Sequence, residues 1–191
     1  MNRRLIIVLI ILDLIWSTAA LIYDYPVIIQ TPIYYWPFLI VCPVFPFLLT
    51  LVWSQIYRDK TPNNYLLAFA AIPSVIYLTA SLIYYPTWMI LNTFDWYALG
   101  QIFWVAFYGI QAFYLLMKFS YTKTALWLAG AFLIISLTVQ FKTKTLGFQD
   151  FTNFSDSLLL IEYLIMVIAA ILLPILISNR TNKSDNKLLR Q

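Results

Sequence analysis

Asp13 is the residue of this sequence that is best placed for chemistry, because it is a carboxylic acid in the middle of an apolar run. It lies eight residues after Leu5, where the run begins, and so about 12 Å along a helix that rises 1.5 Å per residue. An ionised carboxylate near the centre of a bilayer is costly, so we expect this side chain to face other helices, to be protonated or to have a polar partner. The candidates for that partner are Gln101, Tyr108, Gln111 and Tyr114. Two interpretations stay open: a proton or cation relay or a ligand contact, and a structural hydrogen bond between helices, which the lack of a second central charge favours.

Aromatic residues and further carboxylates gather near the ends of the apolar runs. Tyrosine and tryptophan crowd the segments after the first and third runs, and Asp24 and Asp95 lie among them. Rings beside a carboxylate can hold a cationic or aromatic ligand, whereas rings at the headgroup level also form the ordinary aromatic belt of a membrane protein. Glu162 lies one or two turns into the last run, where a rim residue reaches interfacial water. The ligand-binding residues that we predict are Asp13, Tyr23, Asp24, Tyr35, Trp36, Tyr84, Trp96, Gln101, Gln111 and Glu162.

Most catalytic and metal-binding chemistry is excluded by composition. The chain has no histidine, one cysteine (Cys42) and four glycines. These counts exclude imidazole metal sites, a Ser-His-Asp triad, a disulfide within the chain and a glycine-rich phosphate loop. The intramembrane enzyme signatures H-E-x-x-H and G-x-S-x-G are missing as well. We therefore predict no catalytic residue, no metal and no cofactor, and the sequence favours a protein that is not an enzyme.

The composition is that of a membrane protein. Of the 191 residues, 62% are apolar and 10% are charged, and the mean hydropathy is +0.81. A soluble domain carries about 25% charged residues, and a chain this short cannot hide so much apolar surface in its own interior. The net charge of +4 is spread over several loops, which fits orientation in a membrane better than nucleic-acid binding. The lipid bilayer is thus the expected partner, and nucleic acid is excluded.

Six apolar stretches are long enough to cross a bilayer as helices, which takes about 20 residues each. They cover residues 5–23, 36–55, 65–85, 97–117, 124–140 and 157–177. The runs are continuous rather than alternating, which favours helices over the strands of a barrel. Pro37, Pro43 and Pro46 fall in the first half of the second stretch, which can therefore be kinked or start late. We predict an all-α membrane domain of six transmembrane helices over residues 1–177, followed by a polar basic tail over residues 178–191.

The positions of the basic residues predict the orientation. With the N-terminus inside, the inner segments are residues 1–4, 58–64, 118–123 and 178–191, and they hold ten of the twelve Lys and Arg residues. The outer segments hold only Lys142 and Lys144. This distribution obeys the positive-inside rule and places both termini in the cytoplasm of a multi-pass protein of the cell membrane. A cleaved signal peptide is the alternative for the first run, and Asp13 argues against it.

The outer ends of the first and third runs are similar in sequence. Residues 18–26 match residues 79–86, with Asp24 as the one extra residue, and a tryptophan follows the proline of each copy by ten residues. The match predicts repeated helical hairpins, formed by spans 1–2 and 3–4, with spans 5–6 as a divergent third. Transporters built from parallel repeats hold their site between the repeats. Chance similarity is the alternative in a chain so rich in leucine, isoleucine and aromatic residues.

Small residues recur at helical spacing in the fourth and fifth spans. Ala106, Gly109 and Ala112 are three residues apart, and Ala125 and Ala129 are four apart. Such residues let helices approach closely. We expect them to serve packing inside the bundle first and a dimer face second.

The start of the second span resembles the YpjA-like family of small bacterial membrane proteins, a domain of unknown function. Residues 31–38 read Thr-Pro-Ile-Tyr-Tyr-Trp-Pro-Phe, and Pro43 follows Pro37 by six residues. Members carry a similar Thr-Pro-x-Tyr-x-Trp-Pro-Phe segment, but with Asp-Ser where this chain has Val41 and Cys42, and with histidines that this chain lacks. The resemblance implies a fold and a bacterial plasma-membrane location, and it implies no activity.

Two functions follow from these features. The first is binding or transport of a small molecule through an outward-facing aromatic pocket that Asp13 and the outer rings line. The alternative is a non-catalytic accessory or structural subunit of a membrane complex, with a membrane-protein partner or a second copy of the chain on its small-residue faces. A lipid-modifying enzyme is least favoured, because no nucleophile and base are paired in the sequence.

Overall fold

Long apolar helices make up most of the computed structural model, which describes residues 2–39, 41–91, 96–143, 145–146, 149–150 and 156–188. The helices are α1 (Arg3–Ile28), α2 (Trp36–Leu39), α3 (Val41–Tyr57), α4 (Asn64–Leu91), α5 (Trp96–Lys118), α6 (Lys123–Thr143) and α7 (Asp156–Leu188). A 3-10 turn at Ile33–Tyr35 precedes α2. Between α6 and α7, β1 (Thr145–Leu146) pairs antiparallel with β2 (Gln149–Asp150). The prediction of a helical fold is confirmed, and its long apolar helices are compatible with a membrane protein.

Among the described residues, five helices are long and apolar enough to cross a membrane. Their apolar segments are Arg3–Tyr23, Asn64–Leu82, Leu99–Lys118, Lys123–Thr143 and Leu159–Arg180. The predicted second span contains α2 and α3, with residue 40 between them outside the described part of the chain. Within the described residues its apolar helix is Pro43–Tyr57. The last helix, in contrast, continues to Leu188, so the predicted boundary at residue 177 does not coincide with a helix end.

Helices that follow one another along the chain pack together. α1 packs on α3, α4 on α5, and α6 on α7, which is the pairing that three hairpins predict. α4 also contacts α3, α6 and α7, so it lies at the centre of the bundle. Fully buried alanines on α4, at positions 68, 70 and 71, let these neighbours approach closely. Duplication of an ancestral hairpin stays a prediction.

The small residues of α5 and α6 are used inside the bundle, as predicted. A Cβ atom added to Gly109 would lie 2.6 Å from the Cβ of Leu78 on α4. One added to Gly130 would lie 2.9 Å from the carbonyl oxygen of Ala170 on α7. Ala112, Ala125 and Ala129 are fully buried. These faces are therefore covered by helices of the same chain.

Contacts between distant segments bring the basic ends of the helices together. Arg3, at the start of α1, forms a salt bridge with Asp59 in the turn between α3 and α4. Arg180, near the end of α7, donates a 2.7 Å hydrogen bond to the carbonyl oxygen of Met117 at the end of α5. Asn63 is the N-cap of α4, because its Oδ1 atom accepts hydrogen bonds from the backbone N–H groups of Tyr65 and Leu66. The salt bridge thus joins two of the predicted inner segments, and Arg180 of a third lies against the residue that precedes the fourth.

Two alanine substitutions in α5 test the close packing of α4 and α5. Gly109→Ala forces a shift of Leu78 and lowers the free energy of unfolding by about 1–3 kcal/mol, the usual cost of overpacking. Gly100→Ala is the matched control, because nothing lies within 4 Å of its added Cβ. Thermal unfolding in detergent, followed by tryptophan fluorescence, measures both. Equal midpoints for the two variants would contradict the packing described here.

Candidate functional site

Asp13 belongs to a chain of buried hydrogen bonds that joins three helices. The side-chain amide of Gln111 on α5 donates through Nε2 to Asp13 Oδ1 on α1 at 2.9 Å. The indole N–H of Trp53 on α3 donates to Gln111 Oε1 at 2.6 Å. Asp13 and Trp53 are each 1% exposed and Gln111 is 6% exposed. Gln111 is one of the four partners that the sequence offered for Asp13, and the structure selects it.

The helical rotation of α1 turns Asp13 toward the other helices. Leu14 and Ile15, the next residues along α1, are 39% and 55% exposed, whereas Asp13 is fully covered. The apolar residues meet lipid at no cost, while the carboxyl group needs a partner that lipid cannot supply. The expectation that Asp13 faces the bundle is therefore confirmed.

Three buried polar atoms on α1 and α5 have no hydrogen-bond partner among the residues that the structure describes. They are Asp13 Oδ2, the indole Nε1 of Trp16 and Gln101 Oε1, and all three are buried. Trp16 follows Asp13 by three residues, which places it on the same face of α1. Its ring stacks on Trp104 of α5, with centroids 4.9 Å apart. Gln101 precedes Trp104 by three residues on α5.

We call the region where Asp13 and Trp16 of α1 meet Gln111 and Trp104 of α5 the α1–α5 seam. Gln101 lies ten residues before Gln111, about 15 Å along α5, and is not part of it. α1 packs its backbone on α3 and reaches α5 through long side chains. The seam offers a carboxyl oxygen and an indole N–H, together with two stacked aromatic faces. Buried polar groups of this kind are normally satisfied by protein, water or a ligand.

The predicted outer aromatic residues do not all join Asp13. Tyr35 and Trp36 pack around Ile28, near the end of α1, and Trp36 Nε1 donates a 3.0 Å hydrogen bond to the carbonyl oxygen of Thr31. Ile28 lies fifteen residues beyond Asp13, about 22 Å along α1 at 1.5 Å per residue. Tyr23 is 57% exposed. The side chains of Asp24, Tyr84 and Trp96 lie outside those that the structure describes.

Glu162 belongs to a different part of the bundle. It lies on α7, which packs on α4 and α6, whereas the Asp13 hydrogen bonds join α1, α3 and α5. Its Oε1 atom is buried and finds no hydrogen-bond partner in the described part of the chain. The neighbouring Tyr163 hydroxyl lies 3.1 Å from Thr138 Oγ1 on α6. The structure thus separates Glu162 from Asp13 instead of joining them in one site.

Sequence reasoning missed three tryptophans and a second polar cluster. Trp16 and Trp104 belong to the seam, and Trp53 donates to Gln111 beside it. For Trp16 and Trp53, an indole N–H that needs a partner when it is buried was the signal that could have found them. The second cluster joins α6 to α4, since Gln140 Nε2 donates to the Tyr77 hydroxyl at 2.7 Å and to Ser136 Oγ at 3.0 Å. Its hydrogen bonds connect two central helices.

One titratable group outside the membrane-spanning segments is strongly affected by burial. Tyr121 lies in the turn between α5 and α6 and is 4% exposed. Burial raises the pKa of its phenol, because the phenolate would lose its hydration. Tyr121 therefore stays neutral at physiological pH.

Within the described residues, no group of three or more His, Cys, Asp or Glu side chains could hold a metal ion. Comparison of the chain with protein-family models, with curated proteins and with solved structures finds no match.

A methionine substitution tests the Asp13 hydrogen bonds. Gln111→Met keeps the length of the side chain but leaves Asp13 Oδ1 and the Trp53 indole without these bonds, so we expect the free energy of unfolding to fall by about 1–3 kcal/mol. Gln101→Met is the matched control on the same helix, because Gln101 Oε1 makes no hydrogen bond with the described residues. Thermal unfolding in detergent compares the two. If Gln111→Met lowers the free energy of unfolding by less than Gln101→Met does, a structural role for these hydrogen bonds is contradicted.

Proposed function

We propose that this chain is a six-span protein of the cell membrane with both termini in the cytoplasm. The helices that are long enough to span support this placement, and α3, with α2 before it, supplies the remaining span. The Arg3–Asp59 salt bridge adds support, because it joins two of the basic segments predicted to lie inside. Arg180, from a third such segment, contacts Met117, the residue next to the fourth. The likeness of residues 31–38 to the YpjA-like family agrees with this location.

Cysteine labelling tests the orientation. In a Cys42→Ala background, Lys142→Cys lies at the end of α6 on the proposed outer side, and Lys60→Cys lies in the α3–α4 turn on the proposed inner side. Both native side chains are exposed. A membrane-impermeant maleimide added to intact cells should label the first variant, and should label the second only after permeabilisation. Labelling of the Lys60→Cys variant alone in intact cells would reverse the proposed orientation.

Within this placement, the protein binds a small organic cation in the α1–α5 seam. The observation that carries the proposal is Asp13 Oδ2, which is buried and has no hydrogen-bond partner in the part of the chain that the structure describes. An ammonium group supplies both an N–H donor and the positive charge that a buried carboxylate requires. The stacked rings of Trp16 and Trp104 supply aromatic surface next to it, which favours a cation further.

The position of the seam supports binding over a purely structural role. α1 belongs to the first hairpin and α5 to the second, and repeat-built transporters hold their substrates between repeats. The accessory-subunit alternative needs helix faces of small residues that are free to meet a partner protein. The faces of Gly109 and Gly130 are already packed against α4 and α7 of the same chain. The ligand-binding proposal therefore moves from the predicted outer aromatic pocket to the interior seam.

Benzylammonium is a suitable probe, because it combines three N–H donors with an aromatic ring. We expect it to change the tryptophan fluorescence of the detergent-purified protein in a saturable way, whereas benzyl alcohol, which is neutral, should not. Asp13→Asn keeps an acceptor for Gln111 but removes the charge, so the affinity should fall at least about tenfold, or 1.4 kcal/mol.

Asp59→Asn is the control, because it removes an equal charge from an exposed position. It should bind benzylammonium as the unmodified protein does. Equal affinity of the Asp13→Asn variant and the unmodified protein would refute the seam as a cation site, and so would an equal response to benzyl alcohol.

A further inference from the structure

A cavity of about 140 Å³ lies at the end of the bundle where α5 ends at Lys118. Beside it, the apolar segment of α7 ends at Arg180. Lys118 and Ser120 from the end of α5 and the turn after it line one side, and Arg180 from α7 lines the other. Leu116 and Ile177, which are almost fully buried, form its inner wall. The cavity therefore has a polar, basic mouth and an apolar floor.

The two cations at the mouth are held in place by their own contacts. The Arg180 guanidinium donates through Nη2 to the Met117 carbonyl oxygen at 2.7 Å and through Nη1 to the Met117 sulfur at 3.1 Å. Lys118 Nζ donates to the Tyr114 hydroxyl at 2.9 Å and lies 6.0 Å from the centre of the Phe119 ring. A guanidinium has five N–H donors and an ammonium three, so both groups keep donors for a further acceptor. Ordered cations bind an anion without a large loss of side-chain entropy.

The charges that line the cavity are both positive. Its lining includes Lys118 and Arg180 and no acidic residue. The carboxylate that accompanies Arg3 at this end of the bundle, Asp59, is engaged with that arginine. An anion that fits the cavity would thus gain from two cations and meet no opposing carboxylate among the lining residues.

We propose that this cavity binds a phosphate group, carried by an anionic membrane lipid or supplied as free inorganic phosphate. Planar guanidinium and compact ammonium groups are the usual partners of phosphate oxygens in proteins. Basic pockets between transmembrane helices on the cytoplasmic side bind phospholipid headgroups, and the apolar floor at Leu116 and Ile177 fits the part of a lipid next to its headgroup. The lipid source rests on the proposed membrane placement, whereas phosphate binding and the Asp13 site are independent of each other.

Native mass spectrometry of the detergent-purified full chain tests the proposal with phosphatidylglycerol and phosphatidylcholine. The unmodified protein should bind the anionic lipid at least tenfold more tightly than the zwitterionic one. Lys118→Gln and Arg180→Gln should each weaken the binding of phosphatidylglycerol about fivefold, and the double variant should weaken it about 25-fold. These factors follow when each basic residue contributes about 1 kcal/mol to binding. Arg58→Gln, which removes an equal charge from the α3–α4 turn outside the cavity, should leave the affinity unchanged.

Inorganic phosphate distinguishes the two sources. If millimolar phosphate displaces phosphatidylglycerol from the unmodified protein and has no such effect on the double variant, the site takes the free ion. If phosphate does not displace the lipid but the substitutions still weaken lipid binding, the site takes the lipid. Phosphatidylglycerol affinity of the double variant equal to that of the unmodified protein would overturn the proposal, and so would an equal loss in Arg58→Gln.

The variants need a measure of folding that does not involve lipid. Arg180→Gln removes the bond to the Met117 carbonyl, so its thermal midpoint in lipid-free detergent is measured beside that of the unmodified protein. If Arg180→Gln does not fold, Lys118→Gln and Arg180→Lys test the proposal instead. Lys118→Gln removes a positive charge, whereas Arg180→Lys keeps the charge but removes the planar guanidinium group. Both should bind phosphatidylglycerol more weakly, and unchanged binding in both would overturn the proposal. Benzylammonium binding, which depends on Asp13, should persist in all of these variants.

Discussion

A carboxyl group in the apolar interior of a helix bundle has to find its hydrogen bonds within the protein, and the arrangement of α1 depends on this constraint. Asp13 is fully covered while Leu14 and Ile15 face outward, so this residue helps to set the rotation of a mostly apolar helix, together with Ser17, whose hydroxyl donates a 2.6 Å hydrogen bond to the carbonyl oxygen of Pro43 on α3. Its partner Gln111 in turn accepts a hydrogen bond from Trp53. Three helices from two successive hairpins are thereby held in one register, although α1 and α5 meet only through long side chains.

The rest of the bundle is organised by close approach around α4. Apolar side chains gain little from leaving lipid for protein, so association within a membrane relies on fitted surfaces and on small residues. Gly109 and Gly130 provide such surfaces at the contacts of α5 with α4 and of α6 with α7. The share of buried residues in the apolar segment falls from 61% in α4 to 22% in α7 and 17% in α1, which leaves the two outer helices with broad apolar faces.

The molecule carries two polar regions of opposite character. The α1–α5 seam lies inside the bundle and offers a buried carboxyl oxygen with aromatic rings beside it. The cavity at the end of α5 lies at the surface and offers two cations over an apolar floor. Their chemistries suit opposite charges, an organic cation in the seam and a phosphate group in the cavity. Different helix contacts position each region, so each can be altered without the other.

The sequence by itself determined the helical membrane class, because continuous apolar runs with few charges leave no other stable solution in lipid. It also determined that Asp13 needs a partner on another helix, and it included Gln111 among four candidates. Only the tertiary structure decided which candidate was used, separated Glu162 and Trp36 from Asp13, and brought Lys118 and Arg180 to one cavity. The physical reason is that hydropathy reports how a segment meets its solvent, whereas partners depend on helix rotation and spacing, which packing contacts distant in sequence set.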